Sequence, residues 1–189
     1  MIKKLLTVAL LSYSLLIVGC GDDPAPTSKD TIERKGIVYL INSSEPFTGK
    51  IEDYYEVGQS DKFIQIEIST HYEDGKKDGE EVEFHKNGQV HSIGNYKDGK
   101  KDGHWVGWHN NGQKLSEGEY KNGKEEGIWV GWHANGQKLS EGEYKNGEPD
   151  GLWTYRNEDG KKVLEFEGEA SWVVEEYMEG ERKAEGFTN

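Results

Sequence analysis

The chain has 189 residues, with 23 Lys+Arg against 36 Asp+Glu, a formal charge of −13 and a single cysteine, Cys20. That length admits one domain or one short repeat array and excludes a large multidomain enzyme. The acidic balance argues against nucleic acid as a partner, because phosphate-backbone binding needs clustered Lys and Arg. One cysteine excludes an internal disulfide and a paired-cysteine zinc site.

The first residues read as a targeting segment. A short basic start, with Lys3 and Lys4, is followed by a nearly unbroken apolar run over residues 5–18. This run is too short for an ordinary bilayer span of about 20 residues and fits the apolar region of a signal peptide. Ile17-Val18-Gly19-Cys20 closes it and resembles the bacterial lipobox, in which the cysteine is lipidated and becomes the new N-terminus. The expectation is a signal peptide over 1–19, lipid attachment at Cys20, and a flexible linker through residue 35. The anchored chain would sit at the cell envelope: on the periplasmic side of the outer membrane in a cell with two membranes, or on the outer face of the cell membrane in a cell with one.

Residues 36–189 read as one repeat domain. A degenerate first unit, 36–78, opens with a leading strand at 37–41 and carries about six extra residues near 60–65. Regular repeats fill 79–160, where columns of residues recur every 24 positions. Gly79, Gly103, Gly127 and Gly151 form one column, Tyr72, Tyr96, Tyr120 and Tyr144 a second, and Trp105, Trp129 and Trp153 a third. Residues 105–124 and 129–148 differ at only two positions, Asn110/Ala134 and Lys124/Glu148. Residues 161–189 read as a C-terminal cap, with a last hairpin around Trp172 and Gly180.

Each repeat holds two turn signals, such as Asp98-Gly99 and Asn111-Gly112, which favour two-residue hairpin loops with positive φ at both positions. The short segments between them suit strands and are too glycine-rich for helices. The fold class is therefore all-β: an elongated single antiparallel meander of tandem hairpins. A two-residue loop at Asn111-Gly112 pairs Asn110 with Gln113, Trp108 with Leu115 and Trp105 with Gly118. Strand alternation then puts Trp105, Gly107, Gly118 and Tyr120 on one face and Val106, Trp108 and Leu115 on the other. The second face is the more apolar and is expected to be the better buried.

Gly94-Asn95-Tyr96-Lys97-Asp98-Gly99 followed by Gly103, and its counterparts Gly118-Glu119-Tyr120-Lys121-Asn122-Gly123 with Gly127 and Gly142-Glu143-Tyr144-Lys145-Asn146-Gly147 with Gly151, resemble the MORN (membrane occupation and recognition nexus) motif. The added strand with Trp and Asn-Gly is similar to the bacterial MORN-variant subgroup, and the resemblance covers roughly residues 45–165. It implies an array of β-hairpins that serves as a scaffold or binding surface without catalysis. Many bacterial members are labelled antitoxins, so an antitoxin or immunity-like protein that blocks a toxin by direct binding is the alternative. Glycan or choline binding is a third reading, weakened by the absence of Tyr-Tyr and Trp-Tyr pairs from the regular repeats over 79–160.

The candidate chemistry is sparse. His85, His109 and His133 recur one repeat apart, about 9.6 Å in a sheet, too far apart to share a zinc ion at about 2 Å per ligand. They read as solvated strand ends. The loops 74–78 and 98–102 lack the oxygen-ligand run of a calcium loop and read as turns. Ser116 and Ser140 lie near His109 and His133, but no nucleophile elbow is present and each candidate is duplicated. No enzyme activity, metal or cofactor is expected. Trp105, Trp108, Tyr120, Trp129, Trp132, Tyr144 and Trp153 are the candidate partner-binding residues, since a single uncovered sheet must show one aromatic face to solvent or a partner. Glu117, Glu119, Glu141 and Glu143 favour a basic protein partner.

Overall fold

Asp or Asn followed by Gly accepts left-handed backbone at little steric cost, so each such pair can reverse the chain within two residues. The computed structural model, which describes residues 25–55 and 65–168, uses this device repeatedly. Asp98 (φ 50°) and Gly99 (φ 80°) lie between Lys97 and Lys100, which pair with each other. Asn122-Gly123 and Asn146-Gly147 repeat the turn.

Among the described residues the chain forms twelve strands: β1 (Thr31–Arg34), β2 (Ile37–Leu40), β3 (Gly49–Tyr54), β4 (Ile66–Glu73), β5 (Lys76–Phe84), β6 (Val90–Lys97), β7 (Lys100–Trp108), β8 (Lys114–Lys121), β9 (Lys124–Trp132), β10 (Lys138–Lys145), β11 (Glu148–Arg156) and β12 (Lys162–Glu167). Strands β3 to β12 form one ten-stranded antiparallel sheet in sequence order, the meander expected from the repeats. Cys20, expected as the lipid-attachment residue, the extra residues at 60–64 and the expected cap hairpin around Trp172 lie outside the described residues.

The other turn of each repeat departs from expectation. At Asn111-Gly112 only the glycine has positive φ (82°). His109 N–H donates to the Gln113 carbonyl and Gly112 N–H to the His109 carbonyl, so the loop holds three residues with glycine at its left-handed position. Asn111 contributes its side chain rather than its backbone: Oδ1 accepts from Gln113 N–H at 3.0 Å, and Nδ2 donates to the Ala134 carbonyl at 2.7 Å. The extra loop residue shifts the pairing, so Trp108 faces Lys114, not Leu115. A bulge at Leu115 absorbs the shift, and Gly107↔Ser116 and Trp105↔Gly118 fall where expected.

A second irregularity places the tryptophans. Ile93 pairs with Val106 and Asn95 with Asp102, so Gly103, His104 and Trp105 stand against Gly94 alone. Gly103, at φ 76°, supplies the bend. Trp105 thereby leans over Gly94, where a Cβ would come within 2.1 Å of its ring, and Trp129 leans over Gly118 in the same way at 2.2 Å. The expected Cα pairing of Trp105 with Gly118 holds, but the glycine beneath Trp105 is Gly94. The better-buried face is consequently that of Trp105 (6% exposed) and Trp153 (4%), not the face of Val106 and Trp108. Leu115 also departs from expectation: the bulge brings it to the Trp105 side, 3.8 Å from where a Gly107 Cβ would lie.

Residues 28–34, expected as linker, are structured. A 3₁₀ turn spans Ser28–Asp30, and β1 pairs with β2. The hairpin turn is Lys35-Gly36, with φ 55° and 77°, illegible in sequence because lysine rarely adopts positive φ. Residues 37–40, most of the leading strand expected over 37–41, thus belong to a separate two-stranded sheet held to the array through Val38 N–H and the Gly75 carbonyl at 2.8 Å. Pro26 and Ser28 run beside β3, bonding Glu52 N–H and Asp53 Oδ1, which covers part of an open sheet edge.

Gly118→Val would drive its side chain into Trp129. We expect a loss of roughly 1–3 kcal/mol in urea unfolding, recovered in part by adding Trp129→Ala and not by adding Trp105→Ala. Equal recovery by either second change would overturn this register.

Candidate functional site

Alternation along β7, β9 and β11 sends Trp105, Trp129 and Trp153 to one side of the sheet, and the paired strands send Tyr96, Tyr120 and Tyr144 to the same side. The rings interlock edge to face: Tyr96–Trp105 centroids are 5.4 Å apart, Trp105–Tyr120 5.9 Å, Tyr120–Trp129 5.1 Å, Trp129–Tyr144 6.1 Å and Tyr144–Trp153 4.9 Å. Such contacts match a positive ring edge to a negative ring face. Each indole N–H finds a backbone carbonyl at 3.1 Å: Asn95 for Trp105, Glu119 for Trp129 and Glu143 for Trp153.

The structure therefore brings five of the candidate residues together: Trp105, Tyr120, Trp129, Tyr144 and Trp153. Trp108 and Trp132 are on the opposite face with Val106 and Val130, and Trp132 carries the Lys114 ammonium 5.0 Å above its ring. Sequence reasoning missed other members of the row. Tyr155 and Phe166 extend it by stacking at 6.2 and 5.9 Å, in a region where the repeat frays. Glu81 holds the place of the tryptophan column in the first regular repeat, and reading that column back by 24 would have found it. It is 3% exposed and accepts from Thr70 Oγ1 at 2.9 Å and from Lys77.

Beside Trp105 the row opens. Gly107 leaves room where the last repeat has Tyr155, and a cavity of about 240 Å³ is lined there by Trp105, Leu115, Ser116, Tyr120 and Trp129, with Lys101 at its side. Lys101 Nζ is 4.0 Å from the Trp105 centroid and 5.1 Å from that of Tyr120, an attractive cation–aromatic arrangement. The His column is not solvated as expected. His85, His109 and His133 are half-buried and each donates through Nε2 to a carbonyl one repeat on, at 2.8, 2.9 and 2.7 Å. They clamp neighbouring turns together.

Burial of the tyrosines disfavours their charged form. The Tyr120 hydroxyl is pushed up to about 12, by desolvation first and then by the neighbouring Glu125 carboxylate and its hydrogen bond. Tyr155 is likewise pushed up to about 12, by desolvation and then Tyr144. Tyr96 is also raised, by desolvation and then by Glu81.

This is the geometry of a tandem-hairpin repeat array, in which each unit buries its tryptophan on a glycine of its neighbour. The model of the MORN repeat variant family matches residues 77–98, 101–122 and 125–146. The chain thus carries three tandem repeats of the MORN-variant type over 77–146. No curated protein matches the chain. Repeats of this kind point to a non-catalytic repeat protein involved in binding.

Because the folded tyrosine values lie above the ordinary value of 10, the array favours neutral phenols. Their contribution is complete below pH 10 and is lost as pH rises toward 12. Thermal melts should be flat across pH 7–9 and fall steadily above 10. Tyr120→Phe should flatten that fall, and an unchanged alkaline slope would remove Tyr120 from the account.

Proposed function

We propose that this chain is a membrane-anchored, non-catalytic repeat lipoprotein whose tryptophan face binds a protein partner at the bacterial cell envelope. The observation that carries the binding reading is the opening between Trp105 and Trp129: an aromatic-walled hollow of about 240 Å³ with Leu115 at its side. Concave aromatic surface of this kind is where binding energy concentrates in protein interfaces. A partner segment lying across the strands would meet equivalent side chains about every 9.6 Å. The formal charge of −13 supports a basic partner, whose approach would be accelerated at low salt.

The anchoring reading rests on Cys20 and the apolar run before it. A diacylglyceryl group with an N-acyl chain holds a protein firmly, whereas a single chain is marginal. Because the described fold begins with residues 25–30 against β3, a short tether would hold the array close to the membrane surface.

Cys20→Ser should move the protein from the membrane fraction to the soluble fraction; unchanged partitioning removes the anchor from this reading. For the binding surface, the full chain in neutral detergent should capture its partner from envelope extract. Leu115→Lys, which fills the hollow with a like-charged group for a basic partner, should abolish that capture. Capture by Leu115→Lys equal to that by the unaltered chain would move the binding surface elsewhere.

A further inference from the structure

The repeats over 101–122 and 125–146 are nearly identical, so the positions where they differ are informative. One such column is Lys77, Lys101, Glu125 and Pro149. Each of these residues pairs with the tyrosine of the preceding strand: Tyr72, Tyr96, Tyr120 and Tyr144. The four therefore occupy the same place in the fold.

Two of them put an ammonium on the aromatic row. Lys77 Nζ lies 4.8 Å from the Tyr96 ring centroid and is paired with Glu81. Lys101 Nζ lies over Trp105 and Tyr120. In the last repeat the covering is different: Tyr155 stacks on Trp153 from the position that Gly107 and Gly131 hold in the earlier repeats. Trp105 and Trp153 are accordingly buried, at 6% and 4% exposed.

The repeat between them has neither cover. At Trp129 the lysine position holds Glu125 and the Tyr155 position holds Gly131. Trp129 is partly exposed where its two counterparts are buried. Glu125 stays at the row: it takes a hydrogen bond from the Tyr120 hydroxyl and acts electrostatically on Tyr144. The same place that the chain fills with its own ammonium one repeat earlier is here an uncovered indole beside a carboxylate.

We propose that this seat, formed by Trp129, Tyr144 and Glu125, receives a lysine side chain of the basic protein partner. The inference rests on the reading of this face as a protein-binding surface and names the group it recognises. Lysine is favoured over a quaternary ammonium for two reasons. The chain's own Lys101 shows that a lysine stem and ammonium fit the place. Glu125 also offers an acceptor for an N–H donor, which a quaternary ammonium lacks. The indole face supplies the cation–aromatic attraction, strongest for Trp among the aromatic side chains.

The test follows the indole N–H resonances of the full chain in neutral maltoside micelles. N-acetyl-lysine methylamide should move the Trp129 signal saturably and leave those of Trp105 and Trp153 in place. The uncharged norleucine analogue should move none. Glu125→Lys should abolish the response, because the chain then fills its own seat as it does at Lys101. Glu125→Gln, which retains the Tyr120 hydrogen bond, should weaken it. Lys101→Glu should open a second seat and make the Trp105 signal respond. A Trp129 signal that ignores the lysine probe, follows norleucine equally, or responds as well in Glu125→Lys would overturn the proposal, as would tighter binding of tetramethylammonium than of the lysine probe. Against the captured partner, Glu125→Lys should weaken affinity on the order of tenfold. A partner bound equally by both forms would sink the seat while leaving the binding surface standing. A lysine response with no partner captured would leave the seat and remove the protein-binding reading.

Discussion

The contact on which the rest of the structure depends is an indole laid on a glycine of the adjacent strand. At Gly94, Gly118 and Gly142 a Cβ would fall 2.1–2.2 Å from the ring of Trp105, Trp129 or Trp153. Glycine in a strand is ordinarily a weakness, since it packs nothing and is conformationally free in the unfolded chain. Here the bare backbone is what allows a flat ring to lie against the sheet, and the ring in turn shields that backbone. A single-layer sheet has no second layer to pack on. Its apolar surface must be buried along the sheet rather than between layers, and the Trp-on-Gly contact does this between neighbouring repeats.

That contact also dictates the irregularities. For Trp105 to reach Gly94, three residues must stand against one, and Gly103 at positive φ provides the slack. The turns at the far ends of the strands then have to stay in line from repeat to repeat. Asn87, Asn111 and Asn135 tie each three-residue loop to the next by donating to Asn110, Ala134 and Glu158 carbonyls, and the histidine column does the same one residue pair inward. Stability is thus distributed between intrinsic hairpins and nearest-neighbour bonds, as in other linear arrays.

The period of 24 made the meander legible, because periodic glycines and aromatics admit few other folds. It also made the Trp105–Gly118 Cα pair legible, since two errors cancelled: a three-residue loop in place of two, and a bulge at Leu115 that takes the shift back out. The face of Leu115 was not legible for that reason, because alternation fails across a bulge. Nor was the direction in which each indole leans, which depends on the bend at Gly103. The β1–β2 hairpin was hidden by a turn that uses Lys35 at positive φ, a choice that carries no sequence signal. Of the aromatic row, the regular columns gave Trp105, Tyr120, Trp129, Tyr144 and Trp153, and the same columns placed Trp108 and Trp132 on the other side. Glu81 and Tyr155 were obscured because each breaks its column.

Those breaks show where the array has been individualised. Thr70 and Glu81 replace a Gly–Trp pair with a hydrogen bond, and Lys77 balances the buried carboxylate. At the other end Tyr155 and Phe166 close the row by stacking. Both changes finish the aromatic row at a place where there is no further identical repeat to cover it. The substitution at Glu125 serves neither end, for it lies between two full repeats where a lysine would have continued the pattern. A charge reversal there gives up the ammonium cover that Lys101 lays on Trp105, keeps a hydrogen-bond partner for Tyr120, and changes what the surface presents. Between two nearly identical repeats, such a difference gives the surface a direction, so that the proposed partner would bind in one register rather than at every repeat.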